Sequence, residues 1–296
     1  MNPSEPGAWL LARGRTLQTS PTLVMGILNV TPDSFHDGGR HDDPESAVAH
    51  ALRLVEEGAD IIDVGGESTR PGAERVEVSE QIRRTQAVIR LLRAKSDVVL
   101  SIDTTRAAVA EAAIEAGADL INDVSAGAED PRILEVAAAR ACGLVLMHRV
   151  RPPEQDAWSD SYPQEPDFGP DGVVVAVSRY LAERVDVAIA AGVPRESIAI
   201  DPGLGFGKSV RQNLQLLEAL PELVGLGAPV LVGASRKSFV GAVAGGGGPE
   251  ARLSGSLAAA ALAAHSGAAV IRSHDVLETS EAVAFAVASR DSLRGG

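Results

Sequence analysis

The chain has one cysteine, Cys142, which excludes a disulfide framework and any metal cluster built on several thiolates. Lying near the end of a helix-like stretch, it reads as a buried, unreactive thiol. Basic residues are in deficit: 27 Lys and Arg stand against 40 Asp and Glu, a net charge of −13. That balance favours solubility and argues against a nucleic-acid partner or an anionic membrane surface. No apolar run approaches the ~20 residues of a membrane span. The first residues lack the basic start and apolar stretch of a secretory signal, so the expected compartment is the cytoplasm.

What the sequence does hold is a repeat. Eight times a short apolar run ends in a polar, glycine-rich cluster, and a helix-like stretch follows. The runs are Leu23 to Asn29, Asp60 to Val64, Val98 to Ile102, Asp119 to Ile121, Leu144 to Met147, Ser197 to Ile200, Pro229 to Val232 and Ala268 to Ile271. Apolar runs of this kind are strands buried on both faces, as in a parallel sheet. Eight strand–helix units predict an α/β fold, a single-domain (β/α)8 TIM barrel. The polar clusters then mark its C-terminal, active face. The 296 residues suit one barrel of roughly 250 residues plus tails. Residues 1–20 are expected to be a tail or a short capping hairpin, and residues 21–292 the barrel.

Apolar spacing predicts helices over residues 44–57, 79–95, 106–116, 131–141, 172–191, 212–220, 251–266 and 279–290. Gly58, Gly117, Gly192 and Gly267 each stand between a helix and the next strand, where a left-handed residue ends the helix. Two stretches break the rhythm. Residues 148–170, rich in proline and aromatics, follow a strand and so overhang the active face; long loops of this kind are usually functional or mobile. Gly245 to Gly248 reads as a flexible tip.

Asp103, Asn122, Asp201 and Lys237 come from four different strand ends and would converge on the barrel mouth. Carboxylate and amide oxygens accept from a ring amidine or amino group, while lysine donates to a carbonyl or ring nitrogen. That is the complement of a pterin or guanine edge. An internal salt bridge, Asp201 with Lys237, would account for the same residues equally well. Arg70, Arg236, Lys237 and Arg272 gather positive charge at the strand ends of an acidic chain, which suggests an anionic substrate. Arg272 and His274 alternate along one strand, so they share a face as a candidate anion clamp while Ser273 turns away. The run from Gly203 to Ser209 is not a Walker-type phosphate loop, because Pro202 stands where the first glycine must be. Its glycines are expected to let backbone approach a ligand, with Phe206 offering a ring to stack on. No nucleophilic triad is visible.

Seven clusters carry a resemblance. They are Asn29-Val30-Thr31-Pro32-Asp33-Ser34-Phe35, Gly66-Glu67-Ser68-Thr69-Arg70-Pro71-Gly72, Ser101-Ile102-Asp103-Thr104, Asn122-Asp123-Val124-Ser125, Asp201-Pro202-Gly203-Leu204-Gly205-Phe206-Gly207-Lys208, Ser235-Arg236-Lys237-Ser238-Phe239 and Arg272-Ser273-His274-Asp275-Val276. In this order, over roughly Leu23 to Arg290, the chain resembles the dihydropteroate synthases. The resemblance implies a transferase of folate biosynthesis that joins 4-aminobenzoate to 7,8-dihydropterin-6-ylmethyl diphosphate, giving dihydropteroate and diphosphate. It assigns the pterin to Asp103, Asn122, Asp201 and Lys237, with Met147, Phe206 and Gly233 shaping the slot. It assigns the diphosphate to Asn29, Thr69, Arg272, Ser273 and His274, and Mg²⁺, the implied cofactor, to Asn29. Around the aminobenzoate it places Phe35, Asp37, Thr69, Arg70, Pro71, Phe206 and Ser238.

The resemblance also implies that loops Thr31 to Gly39 and Glu67 to Arg75 are mobile in the free protein and close with Asp37 against Arg70. The expected partners are the two small-molecule substrates and a second copy of the chain. Leu257 to Ala264 is a candidate dimer contact, although small-residue packing against the barrel explains it equally well. Arg149-Val150-Arg151-Pro152-Pro153 departs from the family, in which a short segment ending in glycine is common, so the fifth loop's conformation stays open. A catalytically inactive pterin-binding paralogue would lack part of the Ser68-Thr69-Arg70 or Arg272-Ser273-His274 sets. A methyltetrahydrofolate-binding methyltransferase barrel would lack the loops at Thr31 to Phe35 and Ser68 to Gly72. All of these are present.

Overall fold

Alternation along each buried run decides what the barrel encloses, since successive strand residues point inward and outward in turn. The computed structural model describes residues 7–30 and 44–292. It opens on an antiparallel hairpin, β1 (Ala8–Leu10) with β2 (Thr16–Gln18). The barrel strands follow: β3 (Leu23–Asn29), β4 (Ile61–Gly65), β5 (Val99–Asp103), β6 (Leu120–Asp123), β7 (Gly143–Met147), β8 (Ile198–Asp201), β9 (Leu231–Val232) and β10 (Val270–Ser273). All are parallel, in the order β8-β7-β6-β5-β4-β3-β10-β9, and a bridge between Ile200 and Val230 joins the two ends of the sheet. The helices around them are α1 (Pro44–Glu56), α2 (Val78–Lys95), α3 (Ala107–Ala116), α4 (Arg132–Arg140), α5 (Gly172–Ala190), α6 (Val210–Glu218), α7 (Leu220–Val224), α8 (Ser238–Ala244), α9 (Leu253–His265) and α10 (Val276–Ser292).

The strands outrun the apolar pattern at the end that matters. β5, β6, β8 and β10 continue past their last predicted residues to include Asp103, Asn122 and Asp123, Asp201, and Arg272 and Ser273. Ladder pairing depends on backbone groups, which polar residues also carry, so Gly65 pairs with Asp103 and Asp103 with Asn122. The lower half of the interior is apolar, with Leu23, Met25, Ile61, Val99, Leu120, Val145, Ala199, Leu231 and Val270 in one buried cluster. Trp9 and Leu11 from the hairpin region join that cluster and close the floor. The Trp9 indole N–H donates to the Ser197 carbonyl at 2.9 Å.

Gly58, Gly117, Gly192 and Gly267 all take positive φ, from 96° to 120°, as their helix-ending role requires. Three elements differ from the sequence expectation. α6 begins at Val210 because Ser209 and Gln212 form a reciprocal capping box. The predicted helix over 212–220 divides into α6 and α7, with Pro221 in the first turn of α7. α8 occupies a segment with no predicted helix, and Gly245 at φ 111° ends it. The following glycines are exposed but tied: the Gly246 N–H reaches the Gly241 carbonyl, and Arg252 Nη2 reaches the Gly247 carbonyl at 3.1 Å. Among the described residues no helix is long and apolar enough to cross a membrane.

Candidate active site

Above the apolar floor the interior turns polar. Asp63 lies opposite Ser101 in the β4–β5 register, and Met147 opposite Asp201 in β7–β8. Asp103, Asn122 and Arg272 occupy inward positions on β5, β6 and β10. Arg272 donates through Nε to Asp63 Oδ2 at 2.6 Å and through Nη2 to Asp103 Oδ2 at 2.9 Å. Asn122 Nδ2 donates to the same Asp63 oxygen at 3.0 Å. That leaves Asp63 Oδ1, Asp103 Oδ1 and Ser101 Oγ buried without a partner. Burying acceptors unpaired is costly, so the throat is built for something that donates to them. Burial pushes the Asp103 carboxyl up to about 7, Arg272 opposes the rise and the neighbouring Asp63 adds to it. Burial also raises Asp201, against the pull of Lys237.

Among the described residues Asp201 and Lys237 form no direct ion pair; the buried pairing is between Arg272 and the two carboxylates Asp63 and Asp103. Asp201 Oδ1 instead accepts from the Gly203 N–H at 2.7 Å. Lys237 donates to the Leu204 carbonyl, with its ammonium 4.6 Å from the centre of the Phe206 ring. Burial lowers the Lys237 ammonium to about 8. Gly233 sits between Arg272 and Lys237: a Cβ there would lie 3.7 Å from Arg272 Cβ and 3.8 Å from Lys237 Nζ. Met147 is buried beside the same slot, 3.2 Å from where a Cβ on Gly203 would stand. The structure therefore brings together the seven residues that the resemblance assigns to the pterin, with the Phe206 ring beside the Lys237 ammonium. Asp63 was not among them. Its signal was an aspartate at an inward position inside the apolar run Ile61-Ile62-Asp63-Val64.

The glycine-rich sixth loop works differently from the sequence expectation. Gly203, Gly205 and Gly207 all have positive φ, and their bare faces meet protein. A Cβ on Gly203 would lie 1.9 Å from the His148 carbonyl oxygen, and one on Gly207 2.4 Å from Val150 Cβ. The glycines let the fifth and sixth loops touch. Lys208, fully buried, fixes this junction by donating to the carbonyls of His148, Gly203 and Phe206 at 3.3, 2.9 and 2.9 Å. The fifth loop is packed over the site: the Ser159 N–H donates to Ser238 Oγ at 3.0 Å, and the Gly207 N–H to Asp156 Oδ2 at 2.8 Å.

At the rim, strand alternation separates residues that the sequence grouped for the diphosphate. Ser273 is buried on the helix side, where Oγ meets Thr279 Oγ1 at 2.8 Å, so it is removed from the anion site. His274 Nδ1 faces Ser235 Oγ at 3.1 Å, and burial, followed by the Arg272 charge, pushes its pKa down to about 3. It is thus a neutral hydrogen-bonding group, and Arg272 carries the charge. Asn29 ends β3 half-buried, its Oδ1 3.6 Å from where a Cβ on Gly65 would be. Thr69 and Pro71 are half-buried and Arg70 is exposed on the second loop. The Ser238 hydroxyl already serves a fifth-loop amide. Phe35 and Asp37 lie outside the described residues.

The model of the family described as "Pterin binding enzyme" matches residues 25–274. The dihydropteroate synthase of Escherichia coli K12 is 43% identical over 274 residues, covering 93% of this chain and 94% of its own length. The chain belongs to the dihydropteroate synthase family. The Mycobacterium leprae synthase is 45% identical, over 90% of this chain and 93% of its own. A solved dihydropteroate synthase of Xanthomonas albilineans, with 4-aminobenzoic acid, superposes with a TM-score of 0.87 at 45% identity, over 97% of this chain and 99% of that one. The same organism's synthase, solved with 7,8-dihydropteroate, gives a TM-score of 0.82 at 44% identity, over 94% and 97% of the two chains. The chain spans 31% of the length of a Haloferax volcanii relative called a probable bifunctional folylpolyglutamate synthase/dihydropteroate synthase, which is 48% identical over 92% of this chain.

Proposed function

We propose that this chain is a dihydropteroate synthase, condensing 4-aminobenzoate with 7,8-dihydropterin-6-ylmethyl diphosphate. The observation that carries the reading is the throat, where buried acceptors on Asp63, Asp103 and Ser101 stand without partners among Asn122, Asp201, Lys237 and Arg272. A pterin edge supplies donors to the carboxylates and a carbonyl or ring nitrogen to Lys237. The arylamine nitrogen attacks the exocyclic methylene, the carbon–oxygen bond to diphosphate breaks, and the new C–N bond forms as the amine loses a proton. An arylamine is a weak nucleophile, so the site gains most by stabilising the departing anion and the electron-poor methylene.

Asn29, Thr69, Arg272 and His274 are the proposed diphosphate contacts. Arg272 Nη1 is the guanidinium nitrogen that neither carboxylate takes. Thr69, Arg70, Pro71, Phe206 and Ser238, with Phe35 and Asp37, are proposed to surround the aminobenzoate. Among the described residues no group of three His, Cys, Asp or Glu is arranged as a metal cage. One amide oxygen at Asn29 fits Mg²⁺, an ion that keeps much of its shell as water and substrate phosphate. When bound, Mg²⁺ would neutralise charge on the leaving diphosphate. A cytoplasmic homodimer completes the proposal. The test is incubation of the purified protein with both substrates and Mg²⁺: dihydropteroate should form. Tight pterin binding without product would identify an inactive paralogue instead.

A further inference from the structure

A set of charges away from the throat holds the second active-site loop in place. Arg75 is its hub, meeting Glu67 at 3.3 Å, Glu154 at 3.1 Å and Glu129 in a close charge-assisted bond. Arg149, from the fifth loop, reaches the same Glu129 at 2.8 Å. Glu67 also accepts the Val76 N–H at 2.7 Å, so both ends of the segment 68–74 are fastened together. Its tip is fastened as well, because the Gly72 N–H donates to the Pro153 carbonyl at 2.9 Å. Within this closed loop lie Thr69, Arg70 and Pro71.

Isolated surface ion pairs are worth little, but of this set only Glu154 is exposed, and the others are partly withdrawn from solvent. The Arg149 side chain is 7% exposed and that of Glu129 18%. Glu129 Oε2 and Arg149 Nη1 are both buried and unpartnered, an acceptor and a donor left over from one pair. Loops following β4, β6 and β7 therefore meet at one carboxylate. The departure noted in the fifth loop, where arginine follows His148, supplies one of the two cations.

We infer that Arg75, Glu129 and Arg149 are positioning residues for aminobenzoate, fixing the stance of the second loop without touching the pterin throat. The inference rests on the synthase reading. Neutralising the hub should loosen residues 68–74 and leave the inward residues of β5, β6, β8 and β10 in place. Arg75→Met and the isosteric Glu129→Gln test this, the second standing in if the first does not fold. In each, the KM for aminobenzoate should rise about tenfold, equivalent to ~1.4 kcal/mol, while the KM for the pterin diphosphate stays within about twofold of wild type. Hydrogen exchange over residues 68–74 should quicken in both variants. Equal shifts in the two KM values, or no shift in either, would overturn the inference, as would unchanged exchange in that segment. A wild-type protein that forms no dihydropteroate overturns the synthase reading instead, and the exchange measurement then decides the positioning role by itself.

Discussion

Asp103 is where recognition and stability oppose each other. Its carboxyl sits at about 7 in the folded protein against an ordinary 3.8, raised by burial despite Arg272. Across that window the folded state binds more protons than the unfolded one, so unliganded stability falls as pH rises from about 4 to 7. Asp103→Asn keeps an acceptor for Arg272 and removes the titration. The variant should melt above wild type at pH 8 and close to it at pH 4, while losing ~1.5–3 kcal/mol of pterin affinity. Parallel melting curves at both pH values would show that Asp103 is not strained. Lys237, lowered to about 8 by burial, loses its positive charge on the alkaline side and donates more weakly as a neutral amine. Pterin affinity measured by calorimetry should therefore rise through about 7 and fall through about 8. Most of these side chains were legible because a charged group at the end of an apolar run has no packing purpose. Asp63 was hidden inside its run, and Arg272's bond to it spans 209 positions that no local pattern connects.

At the scale of elements, the barrel strands were legible and their ends were not. Apolar periodicity stops where side chains turn polar, whereas backbone pairing continues, as the β5–β6 pairing of Asp103 with Asn122 shows. α8 was missed because seven residues give too few turns to establish a period. The hairpin is shorter still, with three residues in each strand, and tertiary contacts hold it. Fully buried Asp119 accepts from Arg13, from Arg15 at 3.0 Å and from Arg93 at 2.5 Å. It also accepts the Leu100 N–H at 2.9 Å. Asp119→Ala would leave three guanidinium groups facing one another. Removing one partner of a buried ion pair costs ~3–5 kcal/mol; the arginines are partly exposed, so roughly 3 kcal/mol is expected here. Denaturant unfolding should show this loss. Dihydropteroate formation by the protein that remains folded should be nearly unchanged, since the lesion lies at the floor and the site at the mouth. A selective loss of turnover without loss of stability would contradict that division.

Over the whole molecule, exposed large apolar side chains are spread over several helices of the outer ring, Val175, Val187 and Ile189 on α5 and Val243 on α8 among them, and three lie on α9 and α10. Phe285 on α10 is 79% exposed, Leu262 on α9 59%, and Leu277 on α10 50%. α9 and α10 pack against each other, and Arg290 Nη1 ties them by donating to the Ala264 carbonyl at 3.1 Å. In the Leu257 to Ala264 run the packing reading accounts for one side of the helix, and the dimer contact stays a proposal for the other. Ala259, Ala260, Ala263 and Ala264 are buried, whereas Ala258 and Leu262 face outward. Exposed apolar side chains that group together mark interaction surfaces; here exposed Glu278 and Glu281 flank them on α10. The outward side of α9 and α10 is the contact we propose for the homodimer. Wild type should run as a dimer in light scattering, and Leu262→Glu/Phe285→Glu should halve the mass by placing like charges across a two-fold contact. The monomer should fold, because neither side chain contributes to the buried core, and it should keep its pterin affinity, because the throat lies inside one barrel. A monomeric wild type, or a double variant that stays dimeric, would place the contact elsewhere or remove it.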